Sequence, residues 1–480
     1  MSDLEVDVVV IGAGPVGENV AGRAHQQGLS AAIVESRLVG GECSYYACIP
    51  SKALLRPVDL YAATQRMPGV AEAVSGGVDV SAVLARRDAF AAEDDTGQAD
   101  WLSGAGITLL RGHGRLAGER AVEVTHHDGT TTSVAARYVV VATGSTPARP
   151  PIDGLDTVNA WTNQEATQVK EIPASLLILG GGVVGVEMAT VFRRLGARVT
   201  LVQHGDRLIP TTEPEAGRRL QAALEADGVD VRLSTSMTAV RRDGGSGDGA
   251  ERSSTGGEVV ATLDDGSEVR GSELLVAAGR RPATSDLGVD TVGLEPGRPL
   301  DADESTTVLG DWLYAVGDAS TGAKLTHMGK YQARICGDVV VARSRGQELG
   351  GRYSHHAATA EHTAVPQVIF TDPQVAAVGY TEAGARDAGL PVRAVSYEIG
   401  SVAGGSLQAD GYDGFATIVV DTDRAVIVGA TFVGQDVADM VHAATIAIVG
   451  EVPLERLWHA VPSFPTMSEV WLRLLETYGL

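Results

Sequence analysis

Cysteine is almost absent from this chain. Three residues in 480, Cys43, Cys48 and Cys336, exclude a disulfide scaffold, and two of the three stand close together. That usage fits a reducing, cytoplasmic setting with a catalytic pair. Lysine is nearly as scarce: of 38 basic residues only Lys52, Lys170, Lys324 and Lys330 are lysines. Arginine is favoured throughout, so a lysine beside a motif carries extra weight. No apolar run reaches the eighteen residues of a membrane span, so no membrane partner is expected. Met1–Glu5 leads straight into a strand with neither a basic region nor a cleavage site, so no export signal is expected. Positive charge is in deficit, and a net charge of −23 argues against nucleic acid as a partner. What remains is ordinary for a soluble globular protein, with 44% hydrophobic and 21% charged residues and length for two or three domains.

Val6–Ile11 reads as a buried parallel strand from its run of β-branched residues. It runs into Gly12-Ala13-Gly14-Pro15-Val16-Gly17 and a helical stretch through Gln27. Gly12 suits a tight turn, Gly14 the close approach of a pyrophosphate, and Gly17 the packing of helix on strand. The helix N-terminus offers N–H groups and positive potential to that pyrophosphate. A second strand, Ala31–Val34, ends at Glu35, placed where an acid holds a ribose hydroxyl. The unit recurs: strand Ser175–Leu179, then Gly180-Gly181-Gly182-Val183-Val184-Gly185, a helix to Leu195 and a strand Arg198–Val202. Two dinucleotide sites suit a flavin and a nicotinamide exchanging a hydride; the alternative is one working site and one decayed duplicate.

Cys43 and Cys48 lie in Gly40-Gly41-Glu42-Cys43-Ser44-Tyr45-Tyr46-Ala47-Cys48-Ile49-Pro50-Ser51-Lys52. A regular helix would hold such residues roughly 8–9 Å apart at Cα, and a disulfide needs less than about 7 Å. Either the turn is distorted or the sulfurs never bond. Closing so short a loop contributes ~2 kcal/mol, a weak structural reason for a bond. Two unpaired structural cysteines are the other reading.

Further motifs complete a pattern: Ala142-Thr143-Gly144-Ser145, Gly279-Arg280-Arg281-Pro282, Tyr314-Ala315-Val316-Gly317-Asp318, Pro366–Pro373 and Val378-Gly379. Nearly end to end, the chain resembles the FAD-dependent pyridine nucleotide–disulfide oxidoreductases, the family of dihydrolipoamide dehydrogenase, glutathione reductase and mercuric reductase. The resemblance implies an α/β protein with two Rossmann-like domains, for FAD and NAD(P), and a C-terminal α+β dimerisation domain. It implies an FAD domain over 1–155 and 281–357, an NAD(P) domain over 156–280 and an interface domain over 358–480. Pro147–Pro151 is a plausible crossing between domains, and Gly244–Gly257 is a loop by composition. It further implies a homodimer, a small-molecule electron acceptor, no bound metal, and electrons passing from NADPH or NADH through FAD to a Cys43–Cys48 disulfide. Cys48 is then nearer the flavin, Cys43 is the attacking thiolate, and Lys52 pairs with Glu187 beside the ring. Flavin contacts are implied for Gly12, Gly14, Gly17, Glu35, Gly41, Lys52, Gly114, Thr143, Gly144, Ser145, Gly279, Arg280, Gly317, Asp318, Thr326 and His327. Coenzyme contacts are implied for Gly180, Gly182 and Gly185. Cys336, in an apolar helical run, reads as an inert packed thiol.

The pattern breaks at the C-terminus. Disulfide reductases of the family carry His-Pro-Thr-x-x-Glu there, the histidine moving a proton and the glutamate orienting it. Here the stretch is Phe464-Pro465-Thr466-Met467-Ser468-Glu469, so Glu469 is retained and the proton carrier is not. His459, five residues upstream, reads as a surface or structural residue, with a substitute shuttle the sharper alternative. Mercuric reductases also carry an aromatic residue there, but they need a further cysteine pair that this sequence lacks. A dihydrolipoamide dehydrogenase-like activity on a small disulfide or dithiol is the default. Reduction of a quinone, a metal ion or another nicotinamide, and a redox-sensing flavoprotein, are the alternatives. For the coenzyme, Gln203 takes the place of the ribose-binding acid, with His204 and Arg207 after it and Arg198 on the same strand. A neutral amide does not repel a 2′-phosphate, so NADPH use at least equal to NADH use is expected.

Overall fold

A computed structural model describes residues 2–243 and 257–480, so Gly244–Gly256 of the expected loop lie outside the described residues. The chain forms two compact units. One comprises the chain up to Ile49, Ala91–Pro147 and Arg280–His362; the other comprises Pro50–Phe90, Ala148–Gly279 and Thr363–Leu480.

The first unit is built on a seven-stranded sheet. Leu4–Ile11 lies between Ala31–Glu35 and Thr131–Val141, parallel to both, with Val8 opposite Ala31 and Tyr138. Thr108–Leu116 pairs parallel with Ala31–Glu35, then antiparallel with Ala121–His126, which returns to Thr131–Val141. Val8, Val9 and Val10 are fully buried because the sheet is covered on both faces. On one face Val10, Ile33 and Val140 meet Val20 and Ala24 of helix Pro15–Gln26 and Val339 and Val340 of helix Thr326–Ser344. On the other, Val9, Ile11 and Val34 pack with Val124, Leu313 and Trp312. Small residues let the two helices touch: a Cβ on Gly337 would stand 2.6 Å from the Arg23 side chain, and one on Gly329 the same distance from Val16.

The second unit holds three sheets. Glu273–Val276, Ser175–Leu179, Arg198–Val202 and Asp230–Arg232 are parallel in that order. Met237–Asp243, Glu258–Leu263 and Glu268–Gly271 form an antiparallel ribbon. Five antiparallel strands run in the order Pro366–Ile369, Gln374–Gly379, Val426–Gly434, Phe415–Asp421, Val392–Glu398. Helices Val441–Val449 and Val470–Tyr478 pack on this last sheet. Buried Asp372 accepts from Arg66 and from Arg194, and Arg194 also holds Asp227. Burial alone would raise the Asp372 pKa, but the two guanidiniums outweigh it and hold the carboxylate below its usual range. Among the described residues, no helix is long and apolar enough to cross a membrane, and no cluster of His, Cys, Asp and Glu could hold a metal ion.

Candidate active site

The segment between the cysteines does not continue one helix. Gly41–Tyr45 forms a single turn, Tyr46 leaves the helical region at φ −133°, and a new helix, Cys48–Gln65, begins at the second cysteine. Tyr45 and Tyr46 are buried, and their hydroxyls donate to the Val39 carbonyl and to Glu93. The break brings the two sulfurs together: they are not joined by a disulfide and hydrogen-bond to each other. Each also lies against the Thr326 hydroxyl, Cys48 at 3.3 Å and Cys43 at 3.4 Å. The contact with Cys48, then burial, push the Cys43 pKa up, because the first ionisation of such a pair opposes the second. His327, next to Thr326, is exposed.

The glycine turn of the first unit is shaped for a ligand's backbone. A Cβ on Gly12 would stand 2.4 Å from the Ala142 carbonyl oxygen, and one on Gly17 1.9 Å from that of Gly12. Gly41, at φ +59°, faces Gly14 so closely that a Cβ would lie 2.8 Å from its Cα. Helix Pro15–Gln26 has no side-chain cap, which leaves its first N–H groups for an anion. Glu35 closes the turn by accepting from the Ala13 and Arg37 N–H groups, and burial raises its pKa. Gly114 faces Val34 and Ile11, where a side chain would meet both. Thr143, between Ala142 and Gly144, has a buried hydroxyl with no hydrogen-bond partner. Ser145 donates to Asp318 and accepts from Arg280, and Arg280 also pairs with Glu42, next to Cys43. Gly317 donates its N–H to Gln332 at 2.6 Å.

The second unit repeats the turn. A Cβ on Gly180 would stand 2.5 Å from the Ala277 carbonyl oxygen, one on Gly185 1.9 Å from that of Gly180, and Gly182 precedes an uncapped helix. Gln203 is buried, and its Oε1 accepts from the Gly181 N–H at 2.9 Å, the bond that Glu35 makes in the first unit. His204 is exposed, and Arg207 donates to the Pro210 carbonyl at 2.6 Å. Lys52 and Glu187 meet: Nζ lies 2.7 Å and 3.0 Å from the two carboxylate oxygens. Glu187 also accepts from the Phe370 N–H, and Lys52 lies over the Phe370 ring. Glu469 accepts from Arg473, while its other oxygen is buried without a partner. Phe464 is 77% exposed and His459 is exposed, so neither belongs to a buried cluster. Cys336 is fully buried, which pushes its thiol up to about 12.

Two matches fix what this arrangement belongs to. Residues 6–333 match the family model described as pyridine nucleotide-disulphide oxidoreductase, and residues 365–474 match that family's dimerisation domain. The chain belongs to the pyridine nucleotide-disulphide oxidoreductases. It is 32% identical to a dihydrolipoyl dehydrogenase 3 of Pseudomonas aeruginosa over 96% of each chain. It is 31% identical to a mercuric reductase of Streptomyces lividans over 98% of this chain and 96% of the other. It shares the fold of an HOCl-induced flavoprotein disulfide reductase of Escherichia coli, with a TM-score of 0.82 at 22% identity over 98% and 99% of the two chains. The protein is an FAD- and NAD(P)H-dependent oxidoreductase of that family. The bare glycine turns, the uncapped helix and the orphaned Thr143 hydroxyl fit an FAD in the first unit.

Two features of the site were not legible in the motifs: the Glu42–Arg280 pair and the Gln332 contact to Gly317 join segments that are separate in sequence.

Proposed function

We propose that the protein takes electrons from a reduced nicotinamide dinucleotide and delivers them, through a Cys43–Cys48 disulfide, to a small disulfide acceptor. Bound FAD supplies the two-electron carrier between hydride donor and disulfide. The observation that carries the reading is the convergence of both sulfurs on the Thr326 hydroxyl at the start of a long helix. Thr326 can donate to whichever sulfur is ionised, which favours a thiolate there. Lys52 and Glu187 lock each other, which fixes an ammonium one helical turn after Cys48 in the sequence. Glu42 and Arg280 hold the segment before Cys43. FAD lies over 1–155 and 281–357, the nicotinamide over 156–280, and 358–480 joins two copies into a homodimer.

Gln203 serves the glycine turn in place of an acid, and its neutral amide leaves a 2′-phosphate unopposed. NADPH is therefore used at least as well as NADH, with Arg207 released from Pro210 as the phosphate's donor. A second reading, reduction of a quinone or a metal ion, is favoured by one observation: Phe464 cannot carry the proton that a leaving thiol needs. Steady-state assays with lipoamide, a quinone and mercuric ion, each with both coenzymes, decide between them. Lipoamide turnover above that with the other acceptors supports the disulfide reading; turnover with quinone or mercuric ion alone overturns it. A tenfold preference for NADH that Arg207→Ala leaves unchanged overturns the coenzyme assignment.

A further inference from the structure

Only Tyr46 and Ala47 keep the cysteine segment from being one helix, since Gly41–Tyr45 and Cys48–Gln65 on either side are both helical. Had the helix run on, the two cysteine Cα atoms would stand roughly 8–9 Å apart. A disulfide allows less than about 7 Å. The break at Tyr46 is therefore what lets the pair close, and side chains of this unit fasten it. The Tyr46 hydroxyl donates to Glu93 at 2.7 Å, and the Arg37 guanidinium lies 4.7 Å from the centre of the Tyr46 ring. Tyr45, one residue earlier, donates to the Val39 carbonyl at 3.0 Å and reaches the Asp94 carbonyl at 3.4 Å.

These contacts close on themselves. Asp95 accepts from the Val39 N–H at 2.7 Å and pairs with Arg111 of strand Thr108–Leu116. Arg111 donates in turn to the Arg37 carbonyl at 3.1 Å. Residues 93–95, residues 37–39 and a strand of the sheet thus hold both tyrosines, whose rings are buried. The clamp acts unequally on the two redox states of the cysteines. The disulfide exists only with the segment bent. The dithiol is under no such limit: unclamped, it gains the conformations of a loose turn, a continued helix among them, and entropy favours it. Clamped, it loses that advantage, and each sulfur stays in reach of the other, as in any pre-oriented pair.

We propose that Tyr46, anchored by Glu93 and Arg37, is a positioning residue that biases the Cys43–Cys48 couple toward its disulfide. It acts through the backbone between the cysteines. Reduction of the couple takes a hydride from the coenzyme and one proton from solvent, breaks the S–S bond and leaves two thiols. The acceptor disulfide then takes two electrons and two protons as its own S–S bond breaks and the Cys43–Cys48 bond re-forms. The clamp adds no group to either step. By favouring the closed bond it makes the dithiol the stronger reductant toward the acceptor.

The inference rests on the proposed electron path through Cys43 and Cys48, but its test needs no physiological acceptor. FAD-loaded protein is equilibrated anaerobically at neutral pH with mixtures of reduced and oxidised dithiothreitol. After acid quenching and alkylation, mass spectrometry reads the share of chains that hold the Cys43–Cys48 disulfide. Tyr46→Phe keeps the ring and loses the bond to Glu93. It should shift the equilibrium about fivefold toward the dithiol, the effect of one hydrogen bond. For a two-electron couple that is about 20 mV upward. Glu93→Ala should shift it the same way by a similar factor, and the double variant should go little further, because both changes remove one bond. Glu93→Gln, whose amide oxygen still accepts, should shift it less. A purely structural bond would weaken both redox states alike, so an unmoved midpoint in either Tyr46→Phe or Glu93→Ala overturns the proposal. If one of these fails to retain FAD, the other decides. Lipoamide turnover with an unmoved midpoint removes only this inference, and a shifted midpoint without lipoamide turnover removes only the disulfide acceptor. A wild type that forms no Cys43–Cys48 disulfide in oxidised dithiothreitol overturns the electron path and this inference with it.

Discussion

At the scale of single residues, the structure shows how much one carboxylate is asked to do. Glu187 is 3% exposed and serves two donors, the Lys52 ammonium and the Phe370 N–H. Glu187→Gln keeps the shape and the N–H acceptor but removes the charge that fixes Lys52. We expect FAD to be retained and its reduction by coenzyme to slow about tenfold, the effect of ~1.4 kcal/mol at the barrier. Stopped-flow reduction under anaerobic conditions measures it; an unchanged rate would make the pair purely structural. This pairing is written nowhere in local sequence, since Lys52 and Glu187 lie far apart, and only family resemblance suggested it. Gln203 is a different case. Its place at the end of a strand was plain, but its inward turn to Gly181 depends on loop geometry that no spacing rule encodes.

At the scale of elements, the two strand–turn–helix–strand units were fully legible. Their signal is local: β-branched residues, three glycines and a helical stretch in fixed order. The glycines explain themselves sterically. A Cβ on Gly17 or Gly185 would stand 1.9 Å from a carbonyl oxygen of its own turn, closer than any real contact, so helix and strand must part. Such overpacking costs roughly 1–3 kcal/mol, which weakens a ligand held by that turn by about tenfold or more. Gly17→Ala should therefore lose FAD, seen as lower flavin absorbance per chain. Gly185→Ala should keep its flavin and show at least a tenfold higher coenzyme KM. Equal effects of the two changes would contradict the assignment of one ligand to each turn. The cysteine segment was less legible. Spacing alone left it open whether the sulfurs could meet, and the answer came from the helix break at Tyr46, which depends on where two tyrosine hydroxyls find partners.

At the scale of the whole molecule, composition and motif order foretold the domain types, while side-chain meetings across the chain did not show. Helices Pro15–Gln26 and Thr326–Ser344 lie far apart in sequence and meet only in the folded unit. The family's dimerisation domain covers 365–474, and Val461 and Phe464 are strongly exposed there. We expect a homodimer at micromolar concentration by sedimentation velocity, and a fully active monomer would contradict the interface assigned to 358–480. The central claim is electron flow through Cys48 to Cys43, and it is tested most directly by the spectrum of the FAD-loaded protein after anaerobic two-electron reduction. The account predicts a long-wavelength absorbance band from a Cys48 thiolate against the flavin, present in Cys43→Ser even without reductant and absent in Cys48→Ser. A wild-type protein with no such band at any pH from 6 to 9 would contradict it.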